Sequence, residues 1–414
     1  MTAVSLSRWT MSYFAAALTA LVAAEMLMVA GYGFPSVDLR AQETLILVHV
    51  VAIGWLSLLM CGALIQFVPV LVAKPLYSDV LPLPALVCLI AGLAGLVLGF
   101  LQLVGRVGPA PPWLALGGGL LGLGFALVLW NLGRTLWPAR PLPLPARFVA
   151  IGLASIATTA CLGIVCALVL GGAAPDGPFI AFAAAGLPLH IAAGLGGWLT
   201  FTAMGVSYRL LAMFMLAPDL DGRRTHAVFY LGTGALAAIV LGGGLAIQLG
   251  AGFDIALGLA GILGLAAVTL YAADMLHLYG ARRRRHVELN SRMAALALAA
   301  LVSAAALMAG LAAFGRLTDH VGAVVFLIAF GWLSGLALAK LYKVVAFLTW
   351  LECYGPVLGK AETPRVQDLV DERRATKWFL LFFAAVWCAT AALLLRQAPA
   401  FQVAAGGMLL ATIG

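Results

Sequence analysis

The sequence predicts an all-α integral membrane protein of twelve transmembrane helices, arranged as three parallel four-helix repeats with pseudo-threefold symmetry. Composition is the first observation behind this: 64% of the 414 residues are hydrophobic and only 10% charged, with a mean hydropathy of +1.08. That balance belongs to a lipid-facing helix bundle and excludes an ordinary soluble domain. The second is the placement of the cations. The third is a Gly-Trp helix that recurs three times, at Trp55, Trp198 and Trp332.

Apolar runs suited to a hydrocarbon layer of about 30 Å follow one another along the chain. The first, 12–33, comes after Arg8 and resembles a signal-anchor more than a cleaved signal peptide, so it reads as helix one. Helix two, 44–72, carries HVVAIGWLSLLMCGALIQFVP from His49 and ends in KPLYSD. Runs 80–104 and 112–136 complete a first unit, closed by WPARPLPLPAR, where proline cannot continue a helix. Runs 146–171 and 180–216 follow, then APDLDGRR, then 227–250 and 254–279 up to the basic run Arg282 to Arg285. Runs 293–314 and 321–351 lead into a polar connection carrying Lys360, Arg365, Asp371, Arg373 and Arg374, read either as a partner site or as a solvated loop. Runs 376–395 and 399–414 complete twelve; the last spans roughly 24 Å at 1.5 Å per residue and is the shortest. The chain therefore reads as one polytopic domain with repeats at about 1–140, 141–285 and 286–414.

Lys and Arg favour the cytoplasmic ends of membrane helices. With the N-terminus inside, only Arg40, Arg106, Arg316 and Arg396 of the 24 Lys and Arg fall outside, leaving 20 inside. Both termini are therefore expected in the cytoplasm. The net charge of +8 reflects this topology and the anionic inner leaflet, with no nucleic acid implied. Six cysteines, Cys61, Cys88, Cys161, Cys166, Cys353 and Cys388, lie scattered in apolar runs without metal-ligand spacing, which predicts neither disulfides nor zinc.

Trp55, Gly62 and Gln66 correspond to Trp198, Gly205 and Arg209 and to Trp332, Ala339 and Lys343. Offsets of 0, 7 and 11 place each trio on one helix face. The small residue permits close helix approach, which favours packing, while Gln66, Arg209 and Lys343 form either a central polar ring or snorkelling anchors. Pro75 and Pro218 both follow their tryptophan by 20 residues.

Histidine accompanies this stripe twice. His49 precedes Trp55 by six residues and His190 precedes Trp198 by eight, a difference in depth of about 3 Å. An imidazole within the membrane is costly and marks either an interhelical hydrogen bond or a site, and a neutral imidazole is the usual axial ligand of haem iron. Glu25 in helix one is the acidic group at comparable depth, able to orient an imidazole, receive a proton or pair locally. His320 follows Arg316, Thr318 and Asp319 and reads as part of a helix cap; His226, His277 and His286 read as interfacial.

Helix two, with His49, Gly62-Ala63 and Phe67-Val68-Pro69, is similar to the second helix of the catalytic subunit (subunit I) of the haem-copper oxidase superfamily. The likeness is strongest to the nitric oxide reductase large subunit and the C-family oxidases, in which a histidine stands 20 residues before the proline of an LVP-like segment. The resemblance implies twelve helices with pseudo-threefold symmetry and a haem ligand at His49. Membrane haem proteins of the nitric-oxide-stress type share the general pattern. The chain departs from the oxidases in two places. Val324 and Phe326 stand where the family's helix ten has histidines, and the seventh run, 227–250, contains none. Complete O₂ or NO reduction and a copper site are therefore not expected.

The resemblance implies a haem-binding protein of the bacterial inner membrane, connected with electron transfer or a small gas. Its cofactor would be haem b, since no CxxCH motif is present, with His49 and His190 as iron ligands and Glu25, Trp55 and Trp198 around them. Its partners would be the lipid bilayer and a cytochrome c-type or other membrane redox subunit, or a quinol. The alternative is a cofactor-free transporter or respiratory-complex assembly factor on the same fold, using the ring of Gln66, Arg209 and Lys343.

Overall fold

A computed structural model describes residues 6–173 and 177–414, and their regular structure is helical throughout apart from one isolated bridge between Leu358 and Ala361. The first five residues and 174–176 lie outside the described residues.

Among the described residues, eleven helices are long and apolar enough to cross a membrane. They are α1 (Leu6–Val29), α2 (Gln42–Val72), α3 (Pro82–Leu103), α4 (Trp113–Ala139), α5 (Leu144–Leu170), α6 (Leu187–Met215), α7 (Arg223–Gln248), α8 (Asp254–Gly280), α9 (Leu289–Ala313), α10 (Leu317–Cys353) and α11 (Glu372–Leu394). A shorter apolar helix of 16 residues, α12 (Ala398–Ile413), follows. A separate helix, Pro178–Ala185, precedes α6. Helix α1 starts and stops earlier than the run 12–33: it ends before Gly31 and Gly33, whose φ values of +71° and +85° are left-handed, and before Pro35.

Helices α2, α6 and α10 share a feature that periodicity could not reveal. Each is interrupted by a π-helical segment containing its tryptophan: Val50–Ser57, Ala192–Phe201 and Leu327–Ser334. The i→i+5 turn is wider than an α turn and is concentrated at functional sites. Serine stabilises it in two cases, because the Ser57 and Ser334 hydroxyls each donate at 2.7 Å to the carbonyl five residues back, Ala52 and Ala329. Ala73 closes α2 and Leu216 closes α6, both left-handed (φ +49° and +53°) and both 18 residues after their tryptophan. At that offset α10 has Trp350 and continues to Cys353.

The chain divides into two compact units, Ala52–Arg283 and a second formed by the chain up to Val51 together with Arg284–Gly414. In the Ala52–Arg283 unit, α3 and α4 approach through glycines: a Cβ on Gly117 would stand 2.4 Å from the Leu96 nitrogen and one on Gly92 2.7 Å from the Leu121 nitrogen. Such small-residue contacts replace the hydrophobic drive that lipid cannot supply. The Asn131 side chain ties the α2–α3 connection to α4, giving and receiving hydrogen bonds of 2.9 Å with the Ser78 backbone. Helix α6 lies against α5 at two points, where a Cβ on Gly197 would fall 2.3 Å from Ser155 Oγ and one on Gly205 2.2 Å from the Phe148 Cβ. In the other unit, Gly331 and Gly335 bring α10 against Ala300 of α9 and Phe383 of α11, and α1 packs along α12.

Candidate functional site

The three tryptophans are the largest fully buried side chains among the described residues. The Trp198 indole donates to Ser57 Oγ at 3.0 Å within the Ala52–Arg283 unit. A buried indole N–H needs an acceptor, and the serine two residues after Trp55 provides one while also bonding the π turn. The Trp, small and polar stripe thus has a packing role: Gly205 receives Phe148, and Ala339 is fully buried.

Both candidate imidazoles stand at the entrance to a π segment. His49 is the last α-helical residue before Val50, and His190 lies two residues before the turn that starts at Ala192. Both are half-buried. His49 Nδ1 lies 2.7 Å from the Leu45 carbonyl, and His190 Nδ1 lies 3.1 Å from the Thr159 carbonyl of α5. A carbonyl only accepts, so a neutral ring in either position carries its proton on Nδ1 and its lone pair on Nε2. This is the tautomer of an imidazole that ligates through Nε2, held by the kind of backbone bond that orients metal-ligating histidines. Gly163 leaves room for the second ring: a Cβ there would stand 3.2 Å from His190 Cε1.

The third copy is different. Phe326, at the position of His49 relative to its tryptophan, stacks on Phe330 at 4.8 Å and meets Phe401 edge-on at 5.4 Å. Val324, at the position of His190, is 3% exposed.

Glu25 is fully buried in α1. Its Oε1 accepts from the Thr412 hydroxyl of α12 at 3.0 Å, and its Oε2 has no hydrogen-bond partner among the described residues. Two of the three polar ends of the stripe are engaged locally. Arg209 pairs with Asp219 at 2.5 Å, Lys343 pairs with Glu288 at 3.2 Å, and Gln66 Oε1 is buried without a partner among the described residues. His320 sits in the first turn of α10 beside the Arg316–Asp319 pair, His226 bonds the Gly222 carbonyl, and His277 is exposed near the end of α8.

No protein-family model and no curated protein matches this chain.

Two polar features were not singled out in the sequence. Asp274 of α8, 1% exposed, accepts from Tyr208 of α6 at 2.9 Å and from Arg224 of α7 at 2.5 Å. Beside it the Ser207 and Tyr271 hydroxyls form a bond of 2.5 Å. The signal was present, as Tyr271 and Asp274 stand one turn apart in an otherwise apolar span. Lys340, two turns beyond Trp332, is the other: it is 9% exposed inside α10.

Proposed function

We propose that this chain is a b-type haem protein of the bacterial inner membrane, with both termini in the cytoplasm and twelve helices forming three related units. The fold reading is supported by the three π segments at Trp55, Trp198 and Trp332 and by the shared left-handed ends of α2 and α6. The cofactor reading is carried by one observation: His49 and His190 each precede a π segment with Nδ1 on a backbone carbonyl, the ring orientation of an imidazole that ligates through Nε2.

The donor set suits haem iron, for which neutral imidazole is a standard axial ligand. His49 and His190 are each proposed as an iron ligand, each orienting its own ring through its carbonyl bond. A bound haem would supply one-electron exchange or gas binding. The membrane-buried tryptophans would exclude water, and electrons would come from a redox subunit or a quinol. As a relative of the haem-copper oxidases the chain would keep the scaffold, with Phe326 and Val324 filling positions that hold metal ligands in that family.

The test is a reduced-minus-oxidised spectrum of the full chain, purified after expression with ample haem. The expected result is a haem b signal that is lost in His49→Ala and altered or lost in His190→Ala. A colourless wild-type protein overturns the proposal. If that colourless protein transported a labelled anion in an Arg209-dependent way, the carrier reading would take its place.

A further inference from the structure

Independently of any haem, the unit that contains α9, α10 and α11 holds a second site. A cavity of about 610 Å³ opens where the first turns of α9 and α11 converge on the polar half of α10, within the size range of ligand pockets. Three cations line it, Arg284, Lys343 and Arg365, together with His286, against two acids, Glu288 and Glu372. The acids are already committed. Glu288 holds both Arg284 and Lys343, the latter at 3.2 Å. Glu372 faces Arg292 at 3.7 Å and receives the Leu289 N–H at 3.5 Å. Arg365 pairs with Asp368 at 3.2 Å, in an exposed contact that exchanges easily with solvent or another anion.

Two side chains in the wall carry buried donors that no described residue accepts from. Asn290, in the first turn of α9, is 1% exposed; its Oδ1 accepts from Ser291 Oγ at 3.3 Å, which turns its amide Nδ2 away as a donor with no partner among the described residues. The Tyr342 hydroxyl is likewise without a partner. Tyr342 stands at the same offset from Trp332 as Tyr208 does from Trp198, and there the hydroxyl is spent on Asp274. Buried donors without acceptors are costly, and here the side chains that carry them border a cavity with a net excess of cations at the positive ends of two long helices.

We infer that this cavity binds a phosphate group, with Asn290 Nδ2 and the Tyr342 hydroxyl donating to its oxygens and Arg284, Lys343 and Arg365 balancing its charge. A phosphate offers the several acceptor oxygens that such a donor set matches, and arginine recognises it through paired N–H groups. The group can arrive on a lipid headgroup or in a soluble phosphate, because the chemistry is the same.

Thermal unfolding of the full chain in a neutral detergent separates the sources. One arm titrates inorganic phosphate against chloride at constant ionic strength; the other titrates a short-chain phosphatidic acid against the matching diacylglycerol. Stabilisation by both phosphate probes, by the lipid alone or by inorganic phosphate alone supports the site and names its source. Asn290→Asp, which preserves shape but replaces the donor with a carboxylate, and Arg365→Gln, an exposed change, should each weaken half-saturation by about tenfold. No stabilisation by either probe, or stabilisation undiminished in both variants, overturns the inference.

Discussion

The first two Gly-Trp helices and the third are the same device carrying different cargo. All three widen into a π turn around a buried tryptophan. Before that turn the first two place an imidazole oriented by a backbone carbonyl, whereas the third places Phe326 in a cluster with Phe330 and Phe401. At the opposite end the order changes: α2 and α6 stop at a left-handed residue, while α10 runs on and helps to wall the cationic cavity. The difference separates what keeps the helix in its place, which recurs, from what carries chemistry, which does not.

The largest stability effect expected from probing this comparison is at the small residue of the stripe. Alanine serves in the third copy as Ala339, yet Gly205→Ala should destabilise the second copy by about 2 kcal/mol, since its Cβ would meet Phe148 at 2.2 Å. Thermal unfolding in detergent checks this, and a neutral result would make the two positions equivalent. Next comes Asp274→Asn, which removes the charge facing Arg224 and weakens the acceptor for Tyr208. A loss of about 1–2 kcal/mol is expected, moderated by the exposure of Arg224. The smallest is Ser57→Ala, which leaves the Trp198 indole without its acceptor and should cost about 1 kcal/mol. Near-ultraviolet circular dichroism should report the altered Trp198 environment, and an unchanged spectrum with unchanged stability would remove the serine from the account.

Much of the fold was legible because apolar length and the Gly-Trp spacing are one-dimensional signals. Eleven expected spans appear as long helices, and the run 399–414 appears as the short α12. The π turns were not legible, since GWLS in α2 and α10 and GWLT in α6 fit an α turn equally well, and the serine bonds to the fifth residue back in α2 and α10 appear only in the structure. His49 and His190 could be chosen for their depth, and the Leu45 carbonyl is one turn from His49, but the carbonyl that orients His190 could not be foreseen: Thr159 is 31 residues away and reaches it only through packing of α5 against α6. The Asp274 network and the cavity at Asn290 draw on three helices each. Their members are spread over separate helices and connections, so no single stretch of sequence brings them together.

The central claim, that the imidazole copies carry the cofactor and the phenylalanine copy does not, is tested most directly by haem content per chain. Wild type, His49→Ala and Phe326→Leu should be purified in parallel and assayed as the pyridine haemochrome. The account predicts haem b in wild type and in Phe326→Leu, and its loss in His49→Ala. Equal haem in all three, or none in the wild type, would contradict it.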